Sequence, residues 1–388
     1  MSMFRPASLL RTGAVAAALS LLAGCSILPP TLPFIGARAE KPKPAELQPD
    51  PRLLGVRQAW SARIGEVAFP LVAAVSGNVV VVAASDGTVA GFDAGTGREQ
   101  WRGSARAPLA AGVGFDGSTA AVVTRDNELV AFASGREVWR QRMSALSYTP
   151  PLVAGARVFV LGGDRSVSAY DGGTGRRLWT QQRQGEPLVL RQAGVILAVG
   201  DTLVVGQGGR LAGLNPLNGS VRWEAPIATA RGINDVERLV DLVGRVSRVD
   251  NSVCARAFQA AVGCVDAATG RLAWTQRANG SEGVHGDPAN VFGTESDSRV
   301  VSWRRDNGQR AWTNDRLLHR GLGAPLALGR AVAVGDDAGF VHMLSREDGT
   351  LLTRLATDGS AIAADPVAAG NTLVVVTRSG GVYGFVPQ

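Results

Sequence analysis

The three cysteines are the residues of this chain whose spacing points most directly to chemistry. Cys25 ends the segment LAGC (22–25), in which small residues precede a thiol. Small residues suit a cleavage site and a thiol can carry a diacylglycerol, so this pattern is typical of a bacterial lipoprotein signal. Cleavage would leave Cys25 as the lipidated first residue. The alternative is an ordinary signal peptide that happens to contain a cysteine.

Cys254 and Cys264 flank the predicted hairpin turn FQAA (258–261). Residues placed in this way lie roughly opposite one another on adjacent antiparallel strands. In an oxidising, exported compartment the arrangement predicts a disulfide, with two free thiols as the alternative. A metal site is not predicted, because neither a histidine nor a third cysteine lies nearby in the sequence.

No catalytic constellation emerges from the rest of the sequence. His285, His319 and His342 lie in different repeats without the spacing of metal ligands, and we interpret them as loop or surface groups. The sequence contains no nucleophile elbow, phosphate-binding loop or dinucleotide-binding fingerprint in a strand-to-helix context. It therefore predicts no catalytic residue, no metal ligand and no cofactor.

The first fifty residues have the pattern of an export signal followed by a segment that attaches the protein to a membrane. Arg5 and Arg11 precede an uncharged apolar run (12–24), which predicts a signal peptide at 1–24. The following segment, 25–51, contains seven prolines: Pro29, Pro30, Pro33, Pro42, Pro44, Pro49 and Pro51. This density favours an extended tether between the lipidated cysteine and a folded domain at 52–388.

The elements that must position these side chains repeat along the folded domain. Each repeat contains short apolar strands separated by polar and glycine-containing turns, and it ends in tryptophan or a substitute. The repeats end at Trp101, Trp139, Trp179, Trp223, Trp274, Trp312 and Leu352. A strand-built repeat of about 40 residues predicts a closed ring of small sheets.

The two ends of the chain complete the ring. Trp60 precedes the first repeat, whereas the segment RSGGVYGFVPQ stops at Gln388 before a last strand. If the strand around Trp60 pairs with this segment, no open edge remains. The prediction is an all-β, eight-bladed β-propeller of four-stranded antiparallel blades, closed by the N-terminal and C-terminal strands. The tryptophans are predicted to pack between neighbouring blades.

The charge balance does not favour nucleic acid as a partner. The formal net charge is +7, but cleavage of the signal would remove Arg5 and Arg11. The other arginines are spread over many turns, for example at Arg98 and Arg176, without interleaved aromatic residues. Nucleic-acid binding needs a clustered basic surface, so it is not predicted.

The phrase Asp-Ala-x-Thr-Gly-x-x-x-Trp resembles the tryptophan docking motif of pyrroloquinoline-quinone-type propellers. With its export signal and single ring, the chain resembles the BamB family, and the segments LVLR (188–191) and DRLLHR (315–320) support this. The resemblance implies a non-enzymatic scaffold of the β-barrel assembly (BAM) complex, bound to periplasmic domains of BamA. It also implies a lipid anchor on the periplasmic face of the outer membrane, with nascent outer-membrane proteins as further candidate partners.

The resemblance assigns residues to the BamA contact. Leu188, Leu190 and Arg191 match positions through which the family contacts BamA, and Asp241 matches a nearby acidic position. A second acidic position of the family is Val243 in this chain. Independently, the two longest repeats contain insertions at 185–193 and 227–248, and such insertions often lie on a binding face. The alternative is that the two leucines are inward-facing strand residues.

Two functions of other classes remain as alternatives. A quinoprotein dehydrogenase shares the repeat, but it would need acidic and amide ligands for calcium, an aromatic floor and an adjacent cysteine pair. Cys254 and Cys264 are not adjacent. The other alternative is a sugar-binding or peptide-binding propeller of the cell envelope, for which the sequence names no pocket residues.

Overall fold

A computed structural model describes residues 42–183, 189–229 and 239–388 of the chain. Cys25 and the predicted signal peptide lie outside the described residues, and so does Leu188. The ring belongs to one compact unit, Lys43–Gln388. Within the described ranges there is no helix long and apolar enough to cross a membrane.

The described residues form eight four-stranded antiparallel sheets, which confirms the predicted eight-bladed β-propeller. The strands of blades one to four are β2 (Ala74–Ser76), β3 (Val79–Ala83), β4 (Thr88–Asp93) and β5 (Glu99–Ser104); β6 (Gly114–Phe115), β7 (Thr119–Val123), β8 (Glu128–Ala133) and β9 (Arg136–Arg142); β10 (Leu152–Ala154), β11 (Arg157–Leu161), β12 (Val167–Asp171) and β13 (Arg177–Gln181); and β14 (Ile196–Val199), β15 (Thr202–Gln207), β16 (Arg210–Leu214) and β17 (Val221–Pro226).

The strands of blades five to eight follow in the same order, from the innermost strand to the outermost. They are β18 (Leu242–Val249), β19 (Ser252–Ala257), β20 (Ala261–Asp266) and β21 (Arg271–Arg277); β22 (Val284–Gly286), β23 (Asn290–Thr294), β24 (Val300–Arg304) and β25 (Arg310–Asn314); β26 (Leu326–Leu328), β27 (Ala331–Gly335), β28 (Phe340–Ser345) and β29 (Leu351–Ala356); and β30 (Val367–Ala369), β31 (Thr372–Val376), β32 (Gly381–Pro387) and β1 (Val56–Arg63).

The two chain ends close blade eight as predicted. Strand β1 pairs antiparallel with β32, and Trp60 lies opposite Gly384. The middle strands of the blades are runs of valine and alanine whose two faces are both buried, as in β3 and β31. Such strands need apolar residues at every position rather than at alternate ones, because a neighbouring blade covers each face.

Tryptophans link successive blades. The indole Nε1 of Trp60 donates a 2.8 Å hydrogen bond to the carbonyl of Ala94 in blade one. The ring covers Gly97, where an added Cβ would lie 2.5 Å from it, so glycine is required there. The same relationship joins five more pairs: Trp139 with Gly172, Trp179 with Pro216, Trp223 with Ala267, Trp274 with Arg305, and Trp312 with Arg346. The predicted packing role of the tryptophans is confirmed.

The last part of the predicted tether lies against the ring. Ala45 donates its amide to the carbonyl of Leu318, and Leu53 donates to the carbonyl of Leu352. We call residues 45–53 the strap. The strap reaches blade seven at Leu352, the position where the sequence substitutes leucine for the linking tryptophan. These contacts begin at Ala45, within the segment 25–51 that the sequence predicts as a tether.

Candidate functional site

The residues assigned to the partner contact lie on one side of the ring. Leu190 and Arg191 lie between β13 and β14, and Asp241 immediately precedes β18. Both segments connect the outermost strand of one blade to the innermost strand of the next. Because all such connections of a propeller emerge on the same side, these residues share a surface, which we call the loop face.

A hydrogen bond joins the two insertions. The backbone amide of Leu190 donates to Oδ2 of Asp241 at 2.9 Å. The other carboxylate oxygen of Asp241 accepts from the Arg165 guanidinium at 3.1 Å, and both side chains of this ion pair are largely buried. Hydrogen bonds between charged groups are short and strong. Asp241 therefore holds the backbone of the Leu190 loop in place.

Leu190 and Arg191 present different chemistry to solvent. Leu190 is partly buried beside Val189 and Leu242, whereas Arg191 is exposed. The Arg191 guanidinium lies 5.8 Å from the centroid of the Tyr148 ring, within the range of a cation–π interaction. The structure thus brings Leu190, Arg191 and Asp241 together.

Val243 occupies the position at which the family that the chain resembles has a second acidic residue. It lies in β18, opposite Arg256 of β19, and only 1% of it is exposed. A solvent-facing acidic group is therefore not available at this position. Of the two acidic positions that the resemblance assigns to this contact, Asp241 is therefore the one that this chain retains.

The innermost strand of blade five carries a wide bulge next to this site. Val243 pairs with Arg256, and Ser247 pairs with Cys254. Between these two pairs β18 advances by four residues, whereas β19 advances by two. Arg245, inside the bulge, has a positive φ of 50°. Its guanidinium donates to the carbonyls of Pro366 at 2.7 Å and Pro325 at 3.4 Å. The bulge therefore sends an arginine across the middle of the ring to blades seven and eight.

A cavity opens at the loop face above this arginine, and we call it the channel mouth. Connections between blades and one hairpin of blade two line it, including Phe69, Arg125 of that hairpin, Tyr148, Arg191, Gln192, Glu282 and Asp365. Burial, followed by the charge of Asp365, raises the pKa of Glu282 to about 7. The nearby imidazole of His285 accepts a hydrogen bond from the amide of Ala327 at 3.0 Å, and burial lowers its pKa to about 3.

The two remaining cysteines face each other. Cys254 of β19 pairs directly with Cys264 of β20, both are buried, and their sulfurs lie within bonding contact. The Arg305 guanidinium also contacts Sγ of Cys254 at 3.2 Å. The predicted placement across the hairpin is present, and the covalent bond in the exported protein stays a prediction.

The histidines were only partly interpreted correctly. His342 lies in β28 and is fully buried, where its Nε2 is 3.0 Å from Oδ2 of Asp336. Arg320 donates to the same carboxylate at 2.8 Å and to the carbonyl of Ala45 in the strap at 3.0 Å. The expectation of a loop or surface group is therefore wrong for His342, and also for His285, which lies in β22 with its ring accepting the amide of Ala327. For His342, its position within a middle strand that is apolar on both sides of it, between Val341 and Met343, was the signal that could have shown this.

Arg165 and Arg245 are the functional candidates that the sequence did not reveal. Arg165 lies in a hairpin of blade three, and nothing in its sequence context connects it to Asp241. Arg245 lies in the longest repeat interval, which indicates an insertion but not its direction. Within the described residues, no group of three or more histidine, cysteine or acidic side chains could hold a metal ion.

Comparison with known proteins identifies the family. The family model described as "Outer membrane protein assembly factor BamB" matches residues 57–110 and 85–314. The chain belongs to the BamB family. The BamB protein of Burkholderia pseudomallei is 38% identical over 381 residues, which cover 97% of each chain. The crystal structure of BamB from Moraxella catarrhalis has a TM-score of 0.78 and 26% identity, and the match covers 85% of this chain and 99% of that one.

Membership of the BamB family makes the chain an outer-membrane protein assembly factor rather than an enzyme. The quinohemoprotein alcohol dehydrogenase of Comamonas testosteroni also matches, with a TM-score of 0.67 over 86% of this chain and 77% of that one. At 14% identity this likeness shows a shared fold only. In this chain the Arg245 guanidinium extends across the ring to the carbonyls of Pro325 and Pro366.

Proposed function

We propose that the chain is a lipid-anchored scaffold of the BAM complex that binds periplasmic domains of BamA through the loop face. The contact would centre on Leu190 and Arg191, with Asp241 behind them. The observation that carries this proposal is the hydrogen bond between the Leu190 amide and Asp241. Two insertions from different repeats are joined there into one surface.

The chemistry of this surface suits an interface. An exposed arginine stacked on an aromatic ring keeps its N–H groups available for a partner, and a partly exposed leucine adds apolar area. Arginine and aromatic residues are enriched at interface centres. Asp241 acts by orientation, because its two oxygens already accept hydrogen bonds from Leu190 and Arg165.

The anchor follows from the sequence of the first 51 residues. We propose that the signal peptide is removed, that Cys25 carries the acyl chains, and that the ring stands on the periplasmic side of the outer membrane. More than one acyl chain makes such attachment firm. Proline-rich chain extends about 3 Å per residue, so the segment between Cys25 and the strap can span several tens of ångströms.

Co-purification from detergent-solubilised membranes tests the contact with BamA. The double variant Leu190→Ala, Arg191→Ala should lose BamA while its thermal unfolding stays close to that of the unaltered protein. Arg98→Ala is the matched control, because Arg98 is exposed in a turn on the opposite side of the ring. BamA recovery equal to the control would contradict the proposal. Repeating the experiment with an unfolded barrel protein tests direct contact with substrates.

Assembly assistance needs its own measurement. A strain that produces the double variant in place of the unaltered protein should accumulate less folded β-barrel protein in its outer membrane. A variant Cys25→Ser, exported behind an ordinary cleavable signal peptide in place of residues 1–24, should show a similar defect and should be released from the membrane fraction. Normal barrel levels with both variants would argue against a scaffold that acts at the membrane.

A further inference from the structure

Six arginines on or near the loop face are each paired with a carboxylate within 3.1 Å. The pairs are Arg106 with Glu137, Arg140 with Glu128, Arg165 with Asp241, Arg183 with Glu224, Arg299 with Asp297, and Arg320 with Asp336. Arg125 and Arg191 differ from these. Among the described residues, neither has a carboxylate within ion-pair distance, although both are exposed and line the channel mouth.

Each of these two arginines is held over an aromatic ring. The Arg125 guanidinium lies 5.4 Å from the centroid of Phe69, and the Arg191 guanidinium lies 5.8 Å from that of Tyr148. Nε of Arg125 also donates to the carbonyl of Leu109 at 3.2 Å. Stacking fixes the plane of a guanidinium and leaves N–H groups at its edge free for a carboxylate. Both groups are therefore oriented before any ligand arrives.

The inner part of the channel mouth has the opposite charge. Glu282 and Asp365 line the same cavity, and Arg245 lies beyond them, bonded to the carbonyl of Pro366. The wall is held by Gln192, which donates to the carbonyl of Ser281 at 2.7 Å. An anionic group that enters the mouth is thus attracted by Arg125 and Arg191 and repelled by the carboxylate of Asp365.

We propose that the channel mouth is a second binding surface, which takes an acidic polypeptide segment whose carboxylates pair with Arg125 and Arg191. A polypeptide fits better than a free anion because Arg125 lies in the β7–β8 hairpin of blade two and Arg191 in the connection before blade four, so a ligand with several carboxylates is needed to engage both. Phe69 and Tyr148 supply apolar contact for the rest of the segment. This surface shares Arg191 with the proposed BamA contact but depends on Arg125, which that contact does not use.

A direct binding measurement tests the proposal. The mature lipoprotein in detergent is titrated against a fluorescein-labelled decapeptide of alternating Glu and Gly, and anisotropy is read at 50 mM salt. Binding should be saturable, should weaken several-fold at 300 mM salt, and should be lost when the glutamates are replaced by glutamine. Arg125→Gln should weaken binding about 5- to 10-fold, since a charge-assisted pair is removed. Arg98→Gln is the matched control and should leave binding unchanged.

Further variants separate this surface from the BamA contact. Phe69→Leu keeps the charge of Arg125 but removes the ring beneath it, so a partial loss is expected even if Arg125→Gln folds poorly. Leu190→Ala should lower BamA recovery and keep the acidic peptide, whereas Arg125→Gln should do the reverse. Equal binding of the Glu and Gln peptides, or equal binding by Arg125→Gln and Arg98→Gln, would overturn the proposal without affecting the BamA contact.

Discussion

The backbone amide of Leu190 is bonded to the carboxylate of Asp241 at 2.9 Å, although 51 residues separate them in the sequence. One residue belongs to the connection before blade four and the other to the connection before blade five. The bond therefore converts two separate insertions into one surface. It also gives Asp241 a role that its acidic character alone does not suggest. Its carboxylate positions the loop that carries Leu190, and we propose that this loop, rather than Asp241, contacts the partner.

Replacing Asp241 by asparagine tests this positioning role. Asn keeps the size of the side chain but removes the charge that strengthens the bonds to Leu190 and Arg165. We expect the free energy of unfolding to fall by about 1 kcal/mol, as for the loss of charge assistance in a partly buried bond. BamA recovery should fall with it, even though no residue proposed to touch BamA has changed.

The control for this variant is Asp315→Asn. Asp315 is 70% exposed on the loop face, and its nearest guanidinium, that of Arg316, is 3.9 Å away. Exposed pairs of this kind contribute little to stability. If Asp241→Asn and Asp315→Asn gave the same urea midpoint and the same BamA recovery, the positioning role would be refuted.

The disulfide is tested by counting thiols. After unfolding in guanidinium chloride without reductant, mass spectrometry of the iodoacetamide-treated mature chain should show no alkylated Cys254 or Cys264. With reductant both should be modified. Closing a loop of this size stabilises a protein by about 2–3 kcal/mol in the chain-entropy account, so reduction should lower the melting temperature. Alkylation of both cysteines without reductant would show that the bond is absent.

The ring itself could be predicted from the sequence because its determinants are local and repeated. Seven of the eight blades carry the tryptophan, blade seven having Leu352 instead, and the position of Trp60 identified the closing strand. Each tryptophan joins its blade to the next one, because the indole N–H needs an acceptor and a turn of the next blade supplies a carbonyl.

The strap, the buried His342 and the bulge at Arg245 could not be predicted in this way. Seven prolines at 25–51 indicate an extended chain, but they do not say that its end docks at Leu318 and Leu352. Similarly, a long repeat interval reveals an insertion, while the direction taken by Arg245 depends on carbonyls two and three blades away. Contacts between distant parts of the chain decide these features.

The tryptophan links can be measured by a matched pair of substitutions. Trp139→Phe removes the 2.7 Å bond to the carbonyl of Gly172, whereas Trp101 packs beside Phe115 with ring centroids 6.4 Å apart and belongs to none of the six linked pairs. Both changes remove similar apolar volume. Trp139→Phe should therefore cost about 1 kcal/mol more than Trp101→Phe, through its unsatisfied carbonyl. Equal urea midpoints would show that the indole bond does not stabilise the ring.

Glu282 should make the stability of the ring depend on pH. Burial, then the charge of Asp365, raises its pKa from an ordinary 4.5 to about 7, and Asp337 acts in the same direction, while Ser281 and Arg256 oppose the shift. Between these two values the folded state holds a proton that the unfolded state releases.

The free energy of unfolding should consequently fall as the pH rises from about 4.5 to about 7, by roughly 1–3 kcal/mol in total. Glu282→Gln, which stays neutral, should flatten this slope and be more stable than the unaltered protein at pH 8. Glu66→Gln, at an exposed position of the loop face, is the control and should keep the slope. Urea unfolding at a series of pH values measures all three, and an unchanged slope in Glu282→Gln would show that this carboxyl is not the titrating group.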